Sequence, residues 1–339
     1  MERYVRQTQL VEVGREGQAR LMASSVLVLG CGALGSNLAN TLTRVGVGRV
    51  RIVDRDIVEE NNLPRQILFN EDDVAALLPK AEAAARRLRR INSAVEIDPL
   101  VCDATARNIE ALLEGMSLAV DATDNLETRY LLNDACIKLG KPWVYGGVVG
   151  TTGMTMTFVP GEGPCLRCVF PGPPPPGSLP TVETEGVLGT LPALIAAVEA
   201  TEAIKLLCGG ARSPYLLSIN LWSQAIQQVE VLRDEECPAC NGRRFEFLAG
   251  SGATDNWVTT VCGQRTIQVA PGEVRHLDLD QLERRLQPQG DVTHNGMLLV
   301  FRPNDSEGTE LVLFPDGRMQ ARGITDEARA VELYTRYVS

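Results

Sequence analysis

A glycine-rich turn near the amino terminus has the residue types and spacing to bind a nucleotide phosphate. Gly30, Gly32 and Gly35 form a G-x-G-x-x-G pattern between an apolar run and a helical pattern. Glycines let backbone N–H groups approach a phosphate closely, and the start of a helix adds a favourable dipole. Asp54 ends the next apolar run, where a carboxylate can bind a ribose hydroxyl. The pattern predicts a nucleotide site, with a purely structural turn as the alternative.

Charged residues further along the chain favour a triphosphate over NAD. Arg65 lies in a polar loop with Asn62, and Lys80 begins a predicted helix. Asp124 follows a short apolar strand. Cations neutralise triphosphate oxygens and a carboxylate at a strand end can hold Mg²⁺, whereas hydride transfer needs no such set. Singly, each residue has an ordinary alternative as a surface charge, a loop ion pair or a helix cap. Together they predict a site for ATP and Mg²⁺.

Two Cys-x-x-Cys pairs form the second chemical pattern. They are Cys165 with Cys168, and Cys237 with Cys240. Two thiolates at this spacing bind one metal ion, and two such pairs complete a tetrahedral Zn²⁺ site. The stretch between the pairs is longer than in a zinc ribbon, so spacing alone also leaves free thiols or a redox pair open.

The composition limits the class of protein and its partners. The chain has 339 residues, of which 44% are hydrophobic and 22% charged, and its formal net charge is −10. Such a chain has ample apolar material for a core, which excludes global disorder. Its acidity disfavours nucleic acid and anionic membranes as partners. The amino terminus lacks an apolar leader and no stretch reads as a membrane span, so we expect a cytoplasmic protein.

Strands alternate with helices over the first 150 residues, which predicts crossover units and a mostly parallel sheet. We therefore expect an α/β, Rossmann-like domain over residues 1–250, and a small α+β domain over residues 256–339. The predicted strands and helices are Ser25–Leu29, Ala33–Val45, Arg49–Val53, Lys80–Ile91, Val95–Ile97, Leu118–Val120, Leu126–Leu139, Trp143–Tyr145, Gly153–Val159, Leu188–Cys208, Leu279–Leu286 and Asp326–Tyr337.

The order of these motifs resembles the ThiF/MoeB family, relatives of the ubiquitin-activating enzymes. The resemblance extends from about Arg3 to Cys240. It is carried by Arg3-Tyr4-x-Arg6-Gln7, the glycine turn, Asp54-x-Asp56, Asn62-Leu63-x-Arg65-Gln66, Lys80, Thr123-Asp124-Asn125 with Arg129, and the two cysteine pairs. The family adenylylates the C-terminal glycine of a small ubiquitin-like sulfur carrier, ThiS or MoaD, which ends in Gly-Gly. This implies an adenylyltransferase of thiazole or molybdopterin sulfur transfer.

The resemblance also implies a role for each matching residue. The three glycines form the nucleotide turn, Asp54 binds the ribose and Asp56 belongs to the nucleotide site. Asn62, Arg65 and Lys80 contact the phosphates, and Asp124 coordinates Mg²⁺. Arg6 reaches the ATP of the opposite subunit, which implies a homodimer. The four paired cysteines hold a structural Zn²⁺.

One position departs from the family pattern. Several relatives carry a reactive cysteine in the loop after the first cysteine pair, and the matching residue here is Val182. A covalent sulfur step on this loop is therefore in doubt, although adenylylation is not affected. Cys262 is the other candidate for sulfur chemistry, although a lone cysteine is more often inert.

Other functions remain open at this point. The same chemistry could act on a peptide or a tRNA, although the acidic balance disfavours tRNA. A dehydrogenase would leave Arg65, Lys80 and Asp124 without a role. A scaffold that binds ubiquitin-like proteins without turnover is a further alternative. No histidine precedes His276, which suits a reaction whose glycine carboxylate is already ionised and needs no general base.

Overall fold

The computed structural model describes residues 2–175, 178–250, 258–261, 266–270, 276–306 and 308–339. Contacts within the chain divide it into two units, Met1–Thr254 and Asp255–Ser339. Asn256, the predicted start of the second domain, and Cys262 lie outside the described residues. Within the described ranges, no helix is both long and apolar enough to cross a membrane.

The first unit is built on an eight-stranded sheet in the order β3-β2-β1-β4-β5-β6-β7-β8. Neighbouring strands are parallel from β3 to β5 and antiparallel from β5 to β8. The strands are β1 (Ser25–Leu29), β2 (Arg49–Val53), β3 (Glu96–Leu100), β4 (Leu118–Asp121), β5 (Trp143–Val149), β6 (Thr152–Phe158), β7 (Tyr215–Asn220) and β8 (Ala225–Glu230).

The described residues of the first unit include ten α-helices, and the five between Ala33 and Leu139 connect the parallel strands. The ten are α1 (Val5–Thr8), α2 (Gly14–Ala23), α3 (Ala33–Val45), α4 (Glu71–Ala75), α5 (Lys80–Ile91), α6 (Ile109–Leu113), α7 (Leu126–Leu139), α8 (Leu166–Val169), α9 (Val182–Glu185) and α10 (Leu191–Leu207). Parallel strands need such crossovers, and the carboxyl ends of β1, β2 and β4 therefore meet at one edge of the sheet.

Burial in the core accounts for the apolar sequence of the strands in the first unit. The strand β1 is almost wholly apolar and is buried from Val26 to Leu29, because helices cover both faces of a parallel sheet. The residue after α3, Gly46, caps the helix and has a φ of +85°. Such a left-handed residue is a common helix stop, and it fixes the turn into β2.

The second unit is an antiparallel sheet with two described helices. Its described strands follow the order β11-β12-β13-β14-β10-β9. Apolar residues from these strands and both helices form one core, with Phe301, Leu333 and Tyr337 among them. The elements are β9 (Val258–Val261), β10 (Thr266–Val269), α11 (Leu279–Leu286), β11 (Gly290–His294), β12 (Leu299–Pro303), β13 (Glu310–Leu313), β14 (Met319–Arg322) and α12 (Glu327–Tyr337).

The predicted α/β class and mostly parallel sheet are confirmed, and so are the bounds of several elements. The strands β1 and β2 and the helices α3, α5, α7 and α11 have the predicted ends. The prediction for α10 was too long, because Leu188 donates its N–H to the carbonyl of Gly150 instead of starting the helix. The predicted strand Val95–Ile97 was too short and began one residue too early, since β3 runs from Glu96 to Leu100 beside β2.

Candidate nucleotide site and metal centre

The glycine turn brings α3 close to the ends of β1 and β4. A Cβ atom on Gly35 would lie 2.0 Å from the carbonyl oxygen of Gly30, and one on Gly30 would lie 2.6 Å from that of Ala122. These two glycines are therefore required by packing. A Cβ atom on Gly32 would meet nothing closer than the side-chain nitrogen of Gln66, at 3.8 Å. This open space lies at the N-terminus of α3, where a helix attracts anions.

Asp54 connects the glycine turn to the end of β2. Its carboxylate accepts hydrogen bonds from the N–H of Cys31 at 2.6 Å and of Asp56 at 2.8 Å. Burial raises the pKa of Asp54. The positive charge of Lys80 opposes this rise, and the negative charge of Asp56 adds to it. The carboxylate thus stabilises the glycine turn, and its remaining lone pairs can accept hydrogen bonds from the hydroxyl groups of a ribose.

Lys80 lies at the start of α5 and reaches the same edge of the sheet. Its Nζ lies 3.1 Å from Oδ2 of Asp56, and the residue is only 7% exposed. Burial alone would lower the pKa of Lys80, but the charges of Asp56, Asp54 and Asp124 outweigh it and raise the pKa. Lys80 therefore remains a cation in this buried position.

Asp124 is exposed in the turn between β4 and α7, and a buried ion pair fixes that turn. Asp121 accepts hydrogen bonds from the N–H and hydroxyl of Thr123 at 3.0 and 2.7 Å. Arg129 lies 3.1 Å from Asp121 and donates to the carbonyl of Thr123 at 2.6 Å. Both partners of the pair therefore hold the residue that immediately precedes Asp124.

Arg55 is a charged residue of this edge that the sequence analysis missed. Its guanidinium lies 3.1 Å from Asp103 and 3.9 Å from Asp56. The charge of Asp103 raises the pKa of Arg55, burial opposes this, and Asp56 and Asp124 add to the rise. Burial lowers the pKa of Arg129, but Tyr145, Asp121 and Asp124 outweigh this and raise the pKa. The position of Arg55 directly after Asp54 could have identified it from the sequence, since the residue after a carboxylate at a strand end lies at the same edge of the sheet.

Asn62 and Arg65, the other residues predicted to contact phosphates, form hydrogen bonds within their own loop. The Asn62 side chain accepts from the N–H of Glu59 at 3.3 Å and donates to Asn61 at 2.6 Å. Arg65 donates to the carbonyl of Asn61 at 2.5 Å. Arg6 is exposed on α1. The structure thus brings Asp54, Asp56, Lys80 and Asp124 to one edge of the sheet. The roles assigned to these residues, and those of Asn62, Arg65 and Arg6, stay predictions.

The two cysteine pairs converge with the geometry of a zinc site. The Sγ–Sγ distances are 3.9 Å for Cys165–Cys168, 3.6 Å for Cys165–Cys237 and 3.6 Å for Cys168–Cys240. A tetrahedron with Zn–S bonds of about 2.3 Å has edges of about 3.8 Å. All four thiol ligand atoms lie within 4.8 Å of one another. The donor set and the spacing therefore fit a closed structural Zn²⁺ site.

Apolar residues enclose the four cysteines. Ile137 and Phe245 pack against them, and Cys165 and Cys237 are buried. The N–H of Asp234 points to Sγ of Cys168 at 3.5 Å. The first pair lies at the start of α8 and the second in a turn after β8. A metal ion at this point would tie the end of the first unit to the segment after β6.

Comparison with known proteins agrees with this geometry. The model of the ThiF family matches residues 4–239. The chain is 40% identical to the sulfur carrier protein ThiS adenylyltransferase of Bacillus subtilis (strain 168), over 99% of both chains. It is 41% identical to the sulfur carrier protein adenylyltransferase of Thermus thermophilus, over 71% of this chain and 90% of that one.

Solved structures show the same fold. A crystal structure of E. coli MccB with ATP superposes with a TM-score of 0.62 at 22% identity, covering 71% of this chain and 74% of that one. At this level of identity the similarity concerns the fold. The family model matches residues 4–239, which is well over half of the chain, and the chain therefore belongs to the ThiF family.

Proposed function

We propose that this protein is an ATP-dependent adenylyltransferase that acts on the C-terminal glycine carboxylate of a small ubiquitin-like sulfur carrier. The principal support is the group formed by Asp54, Lys80 and Asp124 beside the open glycine turn at one edge of the sheet. The relative that matches 99% of the chain is named as a ThiS adenylyltransferase. A ThiS-like carrier is therefore the first acceptor to test, and a MoaD-like carrier the second.

The chemistry needs positive charge and alignment. A carboxylate oxygen of the carrier attacks the α-phosphorus of ATP, the bond to the bridging oxygen breaks, and pyrophosphate leaves. Both reactants are anions, so fixed cations reduce their repulsion and stabilise charge that develops in the transition state. In this chain, Lys80, Arg55 and Arg129 supply those cations around Asp124. Already ionised, the carrier carboxylate requires no general base.

The nucleotide would lie along the carboxyl ends of β1, β2 and β4. The N-terminus of α3 at Gly32 is suited to phosphate oxygens, and Asp54 is suited to the ribose. Asp124 would hold Mg²⁺, since its carboxylate is exposed and hard cations prefer oxygen ligands. Bound there, Mg²⁺ would neutralise phosphate charge.

Three further residues and the assembly belong to the same proposal. Asn62 and Arg65 would turn toward the phosphates when the loop binds ATP. Arg6 would reach the ATP of the opposite subunit in a homodimer, in the manner of an arginine finger. Residues 1–250 would form the adenylation domain, and residues 256–339 a separate small α+β domain. Zn²⁺ in the four-cysteine site would be structural.

The test is ATP–pyrophosphate exchange with purified ThiS-like and MoaD-like carriers from the same organism. Asp124→Ala serves as the blank, and Glu127→Ala, an exposed carboxylate in the first turn of α7, serves as the matched control. We expect exchange with one carrier in the wild type and the control, and none in the blank. ATP binding without exchange on either carrier would contradict the proposal and favour another carboxylate substrate or a scaffold.

A further inference from the structure

Glu199 is a buried carboxyl group that the adenylylation chemistry does not use. It lies in the middle of α10 and is 0% exposed. Neither carboxyl oxygen has a hydrogen-bond partner in the part of the chain that the structure describes. A charged group in this position would be costly, because nothing replaces the water that it loses on folding.

The strand β5 is shaped around this side chain. A Cβ atom on Gly146 would lie 1.7 Å from Oε1 of Glu199, and one on Gly147 would lie 2.7 Å from the hydroxyl of Tyr145. Glycines weaken a central strand and mark places of close approach. Here the absent side chains leave the space that Glu199 and Tyr145 occupy, so the position of the carboxyl group is built into the sheet.

Charged and titratable groups from three neighbouring elements act on Glu199. The titratable groups that act on it are Asp121 from β4, Arg129 from α7 and Tyr145 from β5. The strand β6 has no charged residue, and the one charged residue of α3, Arg44, is hydrogen-bonded to Asn40.

The helix α2 meets α10 at the carboxyl end of α10, away from Glu199, where Arg20 donates to the carbonyl of Cys208. The charge of Arg129 thus acts on two buried carboxyl groups, but only Asp121 contacts it. Asp121 receives hydrogen bonds from Thr123 and Arg129, whereas Glu199 receives none from the described residues. Burial raises the pKa of Glu199 well above its usual range, with Asp121 adding to the rise and Arg129 opposing it.

We propose that Glu199 is a protonated positioning residue for the turn that carries Asp124. As a neutral acid it fills the space beside Gly146 and leaves Arg129 committed to Asp121 and to the carbonyl of Thr123. Arg129 also donates to the carbonyl of Gly146 at 3.3 Å, and Glu199 packs against this glycine. A small residue at position 199 would leave this part of β5 unsupported, and an ionised Glu199 would add a second buried negative charge near Arg129. Either change loosens the turn. The inference rests on the proposed function only where it predicts turnover.

The protonation state is tested by infrared difference spectroscopy at pH 8 on the full chain. We expect the wild type minus Glu199→Gln spectrum to contain the carbonyl band of a protonated carboxylic acid. Glu202→Gln is the matched control, because Glu202 lies one turn further along α10 and is already paired with Lys205. A difference spectrum that contains only carboxylate bands would overturn the assignment.

The positioning role is tested by hydrogen–deuterium exchange and by kinetics. In Glu199→Ala, amide exchange over residues 119–130 should accelerate at least tenfold, and kcat should fall at least tenfold with KM for ATP within a factor of two. Glu199→Gln should restore both to within about twofold, and Glu202→Ala should change neither. Wild-type behaviour in Glu199→Ala, or equal losses in Glu199→Gln, would overturn the role.

The two kinds of readout separate this inference from the proposed function. Exchange rates and infrared bands require no carrier protein. If the wild type adenylylates no carrier but these two readouts follow expectation, the function fails and the role of Glu199 in the turn stands. The reverse outcome would retain the function and remove Glu199 from it.

Discussion

The nucleotide edge and the cysteine centre of the first unit are organised by opposite means. At the nucleotide edge, protein charges pair with one another: Lys80 with Asp56, Arg55 with Asp103, and Arg129 with Asp121. The cysteine centre brings together thiols that are 72 residues apart in sequence for two of its contacts. Its other neighbours are mainly apolar. The first region is organised by ion pairs within the protein, whereas the four thiols of the second are arranged as ligands for a metal ion.

This difference separates activity from stability. Changing an exposed residue at the nucleotide edge should remove function and leave the fold, because the remaining ion pairs hold the site. Changing a ligand at the cysteine centre should weaken the fold, because metal binding to a site absent from the unfolded chain contributes folding free energy.

The cysteine centre should respond most strongly. Cys237→Ser should reduce zinc from about one ion per chain to none, and should lower the free energy of unfolding by about 5 kcal/mol, since loss of a structural metal is among the few changes of this size. The measurement is metal analysis with denaturant unfolding. Cys136→Ser is the control, because Cys136 is buried in α7 and belongs to no metal-ligand cluster among the described residues. A metal-free wild type of full stability would refute the zinc centre.

Asp124 should show the opposite behaviour. Asp124→Ala should lower the rate of adenylate formation by about 1000-fold, or about 4 kcal/mol in the barrier. Its melting temperature should stay within about 2 °C of the wild type, because surface substitutions rarely change stability by more than about 0.5 kcal/mol. Single-turnover kinetics and calorimetry measure the two quantities. Wild-type turnover in this variant would contradict the role of Asp124, and a large drop in melting temperature would contradict the comparison.

Glu199 is the exception in the nucleotide region, since its carboxyl oxygens have no hydrogen-bond partner among the described residues. A carboxyl group whose pKa is raised by folding holds its proton in the native state, so stability falls as the pH rises above its usual value of 4.5. Glu199→Gln removes this penalty. The stability of the variant relative to wild type should therefore increase by about 1.4 kcal/mol per pH unit above that value.

Urea unfolding at pH 5.5 and 7.5 gives the slope for both proteins. Burial raises the pKa of Asp134 to about 6, so Asp134 also titrates in this window, but it does so in both proteins and cancels in the difference. A constant difference between the two pH values would show that Glu199 is ionised in the folded protein.

The sequence revealed the residues whose signal is local. Asp54 directly follows β2, Asp124 lies in the turn after β4, and the glycine turn precedes its helix. Short-range patterns therefore placed all three at the same edge. Glu199 gave no such signal, because a glutamate in a largely apolar helix is normally expected to face solvent. Only the packing of α10 against Gly146 shows that it points into the core. The sequence pattern also did not predict the antiparallel order β5-β6-β7-β8, because pairing between distant strands depends on tertiary contacts.

Arg55 allows the smallest and most specific test of the nucleotide edge. Arg55→Ala should raise KM for ATP about tenfold with a smaller change in kcat, because it removes a cation and leaves Asp103 and Asp56 to repel the phosphates. Arg49→Ala is the control, since Arg49 pairs with Glu96 and Asp98 at the opposite end of β2. Steady-state kinetics over a range of ATP concentrations measures both variants. An equal effect of the two would mean that Arg55 supports the strand and not the nucleotide, and the charges at this edge would then need a different account.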